Sequence, residues 1–114
     1  MSSRIRNSAA ALRARAAIFA ALGDETRLSV LGRLAKGEPQ SIARLTLGTR
    51  LTRQAVTKHL RVLEGAGVVR SVRAGRESRF TLVPTPIDEA RAYLDVVSRQ
   101  WDDTLMRLKA FVEG

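Results

Sequence analysis

The run Thr52-Arg-Gln-Ala-Val-Thr-Lys-His-Leu-Arg-Val-Leu-Glu-Gly-Ala-Gly-Val-Val-Arg70 leaves the backbone few choices: it spells a short amphipathic helix, stopped by glycine and followed at once by a strand. Turning about 100° per residue from Val56, Leu60 and Leu63 fall within about 40° of it and form a compact apolar stripe. Gln54, Thr57, Lys58 and Arg61 gather on the far side, roughly 100–200° away, with no carboxylate among them. Amide, hydroxyl and cation are the groups that pair with base edges and phosphate oxygens. A merely solvated face is the plain alternative. Thr52 is placed to cap the helix start, a contribution of about 1 kcal/mol. Leu51 and Val56 stand at the positions of a hydrophobic staple, whereas Ala55 leaves no capping box. Gly65 and Gly67, on either side of Ala66, supply the backbone that ends the helix.

The flanking sequence makes this helix the second half of a helix-turn-helix. An alanine-rich helix is predicted over residues 9–22, carrying Leu12, Ile18, Phe19 and Leu22, with Gly23 as its stop. Asp24 caps a second helix to about Lys36, with Leu28, Leu31 and Leu34 along one face, and Gly37-Glu38-Pro39 breaks it. Ser41 begins a short third helix with Ile42 and Leu45 that ends near Gly48. A helix, a tight turn and a second helix with an exposed polar face make the motif. Residues 68–73 and 78–83 are then β-prone, joined by Ala74-Gly75-Arg76-Glu77, a hairpin signal. Two strands this short need a body to pack on, which leaves a basic tip free in the manner of a wing.

Thr85-Pro86 opens a final helix over about residues 86–112. Its apolar positions Ile87, Ala90, Leu94, Val97, Trp101, Leu105 and Leu108 recur at spacings of three and four. Some 26 residues reach roughly 39 Å, more than so small a body can cover. The stripe therefore calls for a second copy of the chain, with the alanine-rich first helix as the other half of the contact. Leu12, Phe19, Leu94, Val97, Trp101, Leu105 and Leu108 are the expected interface residues, Trp101 being its anchor.

Charge points the same way. The 114 residues suit one domain, expected at 9–114 behind a disordered basic tail at 1–8. Twenty Lys+Arg face 11 Asp+Glu, a net charge of +9. Residues 1–85 hold 16 basic and 5 acidic side chains, net +11, and residues 86–114 hold 4 and 6, net −2. A basic body beside a mildly acidic last helix implies two surfaces with different partners. Seventeen of the cations are arginine, the residue suited to bidentate phosphate and guanine contacts. The absence of cysteine excludes disulfides, thiol redox sensing and thiolate metal sites. The longest apolar run, around Ala16 to Leu22, is far short of a membrane span, and the Arg/Ser/Ala-rich start reads as a DNA-binding arm or frayed helix rather than a targeting signal. A cytoplasmic protein is expected.

Two motifs carry a family resemblance. Leu22-Gly23-Asp24-Glu25-Thr26-Arg27-Leu28-Ser29-Val30-Leu31 resembles the "L-x-D-x-T-R-x-x-I-L" signature of the ArsR-type winged-helix repressors. Val56-Thr57-Lys58-His59-Leu60-Arg61-Val62-Leu63-Glu64 resembles their "V-S-K-H-L-x-x-L" recognition-helix text, with Gly67-Val68-Val69 as the strand entry. The resemblance spans about residues 10–112. It implies a mainly α, winged helix-turn-helix fold, a homodimer joined through the first and last helices, and transcriptional control at a promoter, usually repression. Members that sense metals through Cys-x-Cys carry it where this chain has Ser41 and Ala43; others use Asp and His on the last helix, which here has no histidine. His59, the sole histidine, cannot make a transition-metal site alone, so neither metal nor cofactor is expected. The run Thr46-Leu-Gly-Thr-Arg50 departs from the commoner "L-A-x-x-L-G" text before the recognition helix.

The expectation is a homodimeric, sequence-specific regulator that binds double-stranded DNA at a palindromic promoter site as a repressor. Thr52, Arg53, Gln54, Thr57, Lys58, His59 and Arg61 are the candidate contacts on the recognition helix. Arg50 in the turn and Arg73, Arg76 and Arg79 on the wing are the others. A nonspecific or architectural nucleic-acid binder is the alternative, and a protein-interaction module is a third reading. No catalytic constellation is present: no thiol, one histidine inside a binding motif and no phosphate-cradling glycine loop. No residue pattern names an inducer.

Overall fold

A computed structural model describes residues 8–114. The expected tail at 1–8 therefore lies outside the described residues except for Ser8. That residue belongs to the domain: its hydroxyl oxygen accepts the Ala11 N–H at 3.0 Å and caps the first helix, α1, Ala9–Leu22. Asp24 caps α2, Glu25–Leu34, by accepting the Arg27 N–H at 2.9 Å. Ser41 caps α3, Ile42–Thr46, and Thr52 caps α4, Arg53–Gly65, each through a hydroxyl accepting an N–H three residues on at 3.1 Å. The hairpin follows as β2, Val69–Ala74, and β3, Glu77–Leu82, and the chain closes with α5, Pro84–Glu113.

Three differences from expectation have physical causes. Gln40–Ser41 forms an unforeseen strand, β1, that pairs antiparallel with β3 through Gln40↔Phe80 and Ser41↔Arg79 and gives a sheet of order β1-β3-β2. Two residues are too few to show a period-two pattern. Leu28 is 53% exposed, and Val30 takes its place in the core beside Leu31 and Leu34. The buried three centre on a direction roughly 110° from Leu28. The last helix begins two residues early, because Pro84 as well as Pro86 is tolerated in a first turn that needs no N–H.

The exit from α4 is closed by a Schellman motif. Gly67, at φ 79°, donates its N–H to Glu64 O at 2.9 Å, and Val68 donates to Leu63 O at 3.1 Å. Leu63 and Val68, both fully buried, make the apolar contact that accompanies this cap. The hairpin turn is tighter than expected, since Ala74 pairs with Glu77 and only Gly75-Arg76 lies between the strands.

The core collects Ile18 and Ala21 from α1, Val30, Leu31 and Leu34 from α2, and Leu45 from α3. Val56, Leu60 and Leu63 of α4, Val68 just after it, Val69 and Phe80 of the hairpin, and Ala90 of α5 complete it. Beyond this body α5 continues alone. Its 30 residues span about 45 Å, and every residue from 98 onward is exposed. The radius of gyration is 18.5 Å, against about 13 Å for a compact chain of this length. No helix among the described residues is long and apolar enough to cross a membrane.

Candidate nucleic-acid interface

With Val56, Leu60 and Leu63 sunk in the core, the opposite side of α4 is turned out. Arg53, Gln54, Thr57, Lys58 and Arg61 line one shallow, open groove there. The Thr57 hydroxyl donates to Arg53 O at 2.7 Å, which leaves its oxygen as an acceptor at the groove wall. Among the described residues no carboxylate pairs with these cations: the ion pairs are His59–Asp24, Arg79–Glu77 and Lys109–Glu113. Five of the seven recognition-helix candidates thus come together. Thr52 does not line this groove; its oxygen accepts the Ala55 N–H, which leaves the hydroxyl proton free to donate.

His59 is also placed elsewhere. It is half-buried, with Nδ1 3.8 Å from Asp24 Oδ2 and 3.4 Å from Arg27 Nη1, so it knits α4 to the start of α2. The N–H of Arg27 is the largest influence holding the Asp24 carboxyl below its usual value; the Arg27 guanidinium, His59 and the Thr26 N–H add to it, against partial burial. The two family motifs meet at this cluster.

Two arginines counted in the basic body are consumed by the fold. Arg27 donates from Nε to Ala21 O at 2.6 Å and from Nη2 to Ala20 O at 3.2 Å, closing the end of α1. Arg33 donates from Nη2 to Arg44 O at 2.8 Å and from Nη1 to Leu45 O and Leu47 O at 2.7 and 3.3 Å, closing the end of α3. Carbonyls at helix C-termini lack partners of their own and carry the negative end of the dipole, so a guanidinium suits them. Arg27 follows the end of the helix it closes by five residues and Arg33 precedes the start of the helix it closes by nine, and no local pattern marks either.

The wing cations do not share one face. Val72 opposes Arg79 and Arg73 opposes Ser78, so Arg79 stands with Arg70 and Val72 on one side of the hairpin and Arg73 on the side of Phe80. Arg79 pairs with Glu77 at 3.1 Å, Arg73 donates to Gly75 O at 3.1 Å, and Arg76 occupies the turn. Arg50 is exposed in the segment before α4. Arg44 on α3 and Arg70 on β2 are exposed cations outside the candidate contacts.

On α5, Leu94, Trp101, Leu105 and Leu108 are exposed and Val97 is half-buried. Val97 and Trp101 line a shallow notch with Gln100 and Thr104. Leu12 is exposed on α1, but Phe19 is partly used within the subunit: it packs on the core, its ring is 6.1 Å from that of Tyr93, and the Arg15 guanidinium lies 4.7 Å from the Tyr93 centroid. Among the described residues no three of His, Cys, Asp and Glu are grouped to hold a metal.

A helix-turn-helix backed by a three-stranded antiparallel sheet and followed by a long helix defines the winged helix-turn-helix class. Comparisons with known proteins agree. The model of a helix-turn-helix domain matches residues 22–72. The chain is 44% identical over 66 residues to the uncharacterized HTH-type transcriptional regulator YuzN of Bacillus subtilis, covering 53% of this chain and 72% of that protein. It superposes on an ArsR-like transcriptional regulator from Rhodococcus sp. RHA1 with a TM-score of 0.78 and 34% identity, over 88% of this chain and 93% of that one. A homodimeric winged helix-turn-helix DNA-binding domain from Mycobacterium bovis shares the fold at 23% identity and a TM-score of 0.65, over 84% and 88% of the two chains. The chain belongs to the ArsR family of winged helix-turn-helix transcriptional regulators.

Proposed function

We infer that this protein is a cytoplasmic, homodimeric repressor that reads a palindromic promoter site, and that it is not an enzyme. The acid-free groove on α4 carries this reading: five side chains able to pair with bases and phosphates line one exposed concavity on a body of net charge +11. Gln54, Thr57 and Lys58 read base edges in the major groove, with Arg53 and Arg61 setting the register on phosphates. Arg50, Arg73, Arg76 and Arg79 add contacts from the turn and wing. Residues 8–114 act as one unit, with α5 as its dimerisation helix. The exposed stripe of Leu94, Trp101, Leu105 and Leu108, the half-buried Val97 and the exposed Leu12 support pairing with a second copy, as in the homodimeric M. bovis domain. Two-fold symmetry then sets half-sites about 34–36 Å apart. An electrophoretic mobility shift on an enriched duplex tests the reading. Scrambled competitor is expected to leave the complex intact, and equal competition would defeat sequence specificity.

A further inference from the structure

The turn into α4, which departs from the family text, holds an apolar side chain out from the surface. Leu47 is 70% exposed; outside the last two residues of α5's apolar end, Phe111 and Val112, no large hydrophobic described is more so. Its backbone is fixed at every polar atom. The Leu47 N–H donates to Arg44 O at 3.2 Å, and its carbonyl accepts from Arg33 at 3.3 Å. Leu47 at φ −59° and ψ 135°, followed by Gly48 at φ 77°, makes Thr46–Thr49 a type II turn, closed by the Thr49 N–H on Thr46 O at 3.1 Å. The Thr49 hydroxyl donates to Thr46 O at 2.7 Å and accepts the Leu51 N–H at 3.2 Å, which locks the turn to the start of α4.

Nothing in the turn needs a leucine at its second position, where proline or a polar residue serves as well. What surrounds it identifies the occupant. Between Glu38 and Glu64 the chain has no acid and five cations, with the exposed Arg44, Arg50 and Arg53 on either side of Leu47 in sequence. The α3 helix packs on α4, β1 and β3, away from the α1–α5 pair that carries the copy-facing stripe. A large apolar side chain on a hydrogen-bonded turn, flanked in sequence by exposed cations and leading into α4, meets a polyanion with an apolar feature. In duplex DNA that feature is the C5-methyl of thymine, displayed in the major groove.

We propose that Leu47 is a specificity-determining residue that packs on a thymine methyl in each half-site. The inference rests on the DNA-binding reading above and deepens it. The 114-residue chain is used to enrich a duplex, and each thymine is then replaced singly by deoxyuridine, which deletes only the methyl. At one thymine per half-site the replacement weakens the wild type about fourfold, the worth of one methyl removed from water. Leu47→Ala, which removes the contact from both half-sites, binds the parent duplex about sixteenfold more weakly and is indifferent to deoxyuridine at that position, while Leu47→Met keeps the discrimination. Leu47 is exposed, so neither variant shifts the unfolding midpoint. The proposal is overturned if wild type and Leu47→Ala show the same deoxyuridine profile; specific binding would then survive without it. A chain that prefers no duplex overturns both this inference and the reading beneath it.

Discussion

Arginine serves two ends in this protein, and the partner of each guanidinium decides which. Arg27 and Arg33 spend their donors on helix-end carbonyls, whereas Arg53 and Arg61 face an open groove with no carboxylate beside them. The caps Asp24, Ser41 and Thr52 were legible because each acts on an N–H three residues away. The partners of Arg27 and Arg33 lie 6–14 residues off and depend on how helices pack, which no local pattern encodes. Asp24 carries a pH signature. Its carboxyl titrates below the usual value in the folded chain, so its stabilisation is present above the unfolded pKa and is lost as pH falls through the folded one. Asp24→Ala should therefore unfold at a lower temperature than wild type at neutral pH, the two melting curves converging as pH drops below the ordinary carboxylate range. For DNA, Gln54→Ala is expected to relax discrimination at one base pair by about 1–3 kcal/mol. Arg76→Ala should instead weaken all sequences alike and reduce the salt slope by about 1. Anisotropy titrations across salt concentrations on matched and mismatched duplexes separate the two effects.

Helices were easier to foresee than strands, for a physical reason. The α3 and α4 helices each combine a side-chain cap, an apolar period and a stop, three local signals that agree. The β1 strand exists only because β3 offers it an edge, and the inward turn of Val30 over Leu28 is set by the neighbours of α2. The groove was legible as a helical face; the splitting of Arg73 from Arg79 was not, because strand faces follow from register and the turn proved one residue shorter on each side. Gly67 is the element-level feature open to direct test. Its positive φ costs an L-residue roughly 1–2 kcal/mol, while the nearest atom a new Cβ would meet, Pro86 Cγ, is at an unstrained 3.8 Å. Urea denaturation of Gly67→Ala should thus show a loss of about 1–2 kcal/mol with unchanged m-value. A neutral result would mean the Schellman exit from α4 is not maintained in solution.

At the scale of the molecule, the feature to account for is a 30-residue helix that leaves its own body. Leu105→Glu puts a charge into the apolar stripe far from the α4 groove, and sedimentation should show it as a monomer at concentrations where wild type is dimeric. Affinity for a two-half-site duplex should fall steeply while affinity for a single half-site hardly changes, because the second engagement is no longer intramolecular. Equal loss on both duplexes would mean that α5 supports DNA binding in some other way. Only Val83 separates β3 from α5, and its N–H is pinned to Val68 O at 2.9 Å, one residue past the glycine that ends α4. The joint is a fulcrum and the helix a lever: tilting it by five degrees sweeps the far tip through about 4 Å over its length. Whatever grips that tip therefore has mechanical advantage over the angle at which the hairpin leaves α4.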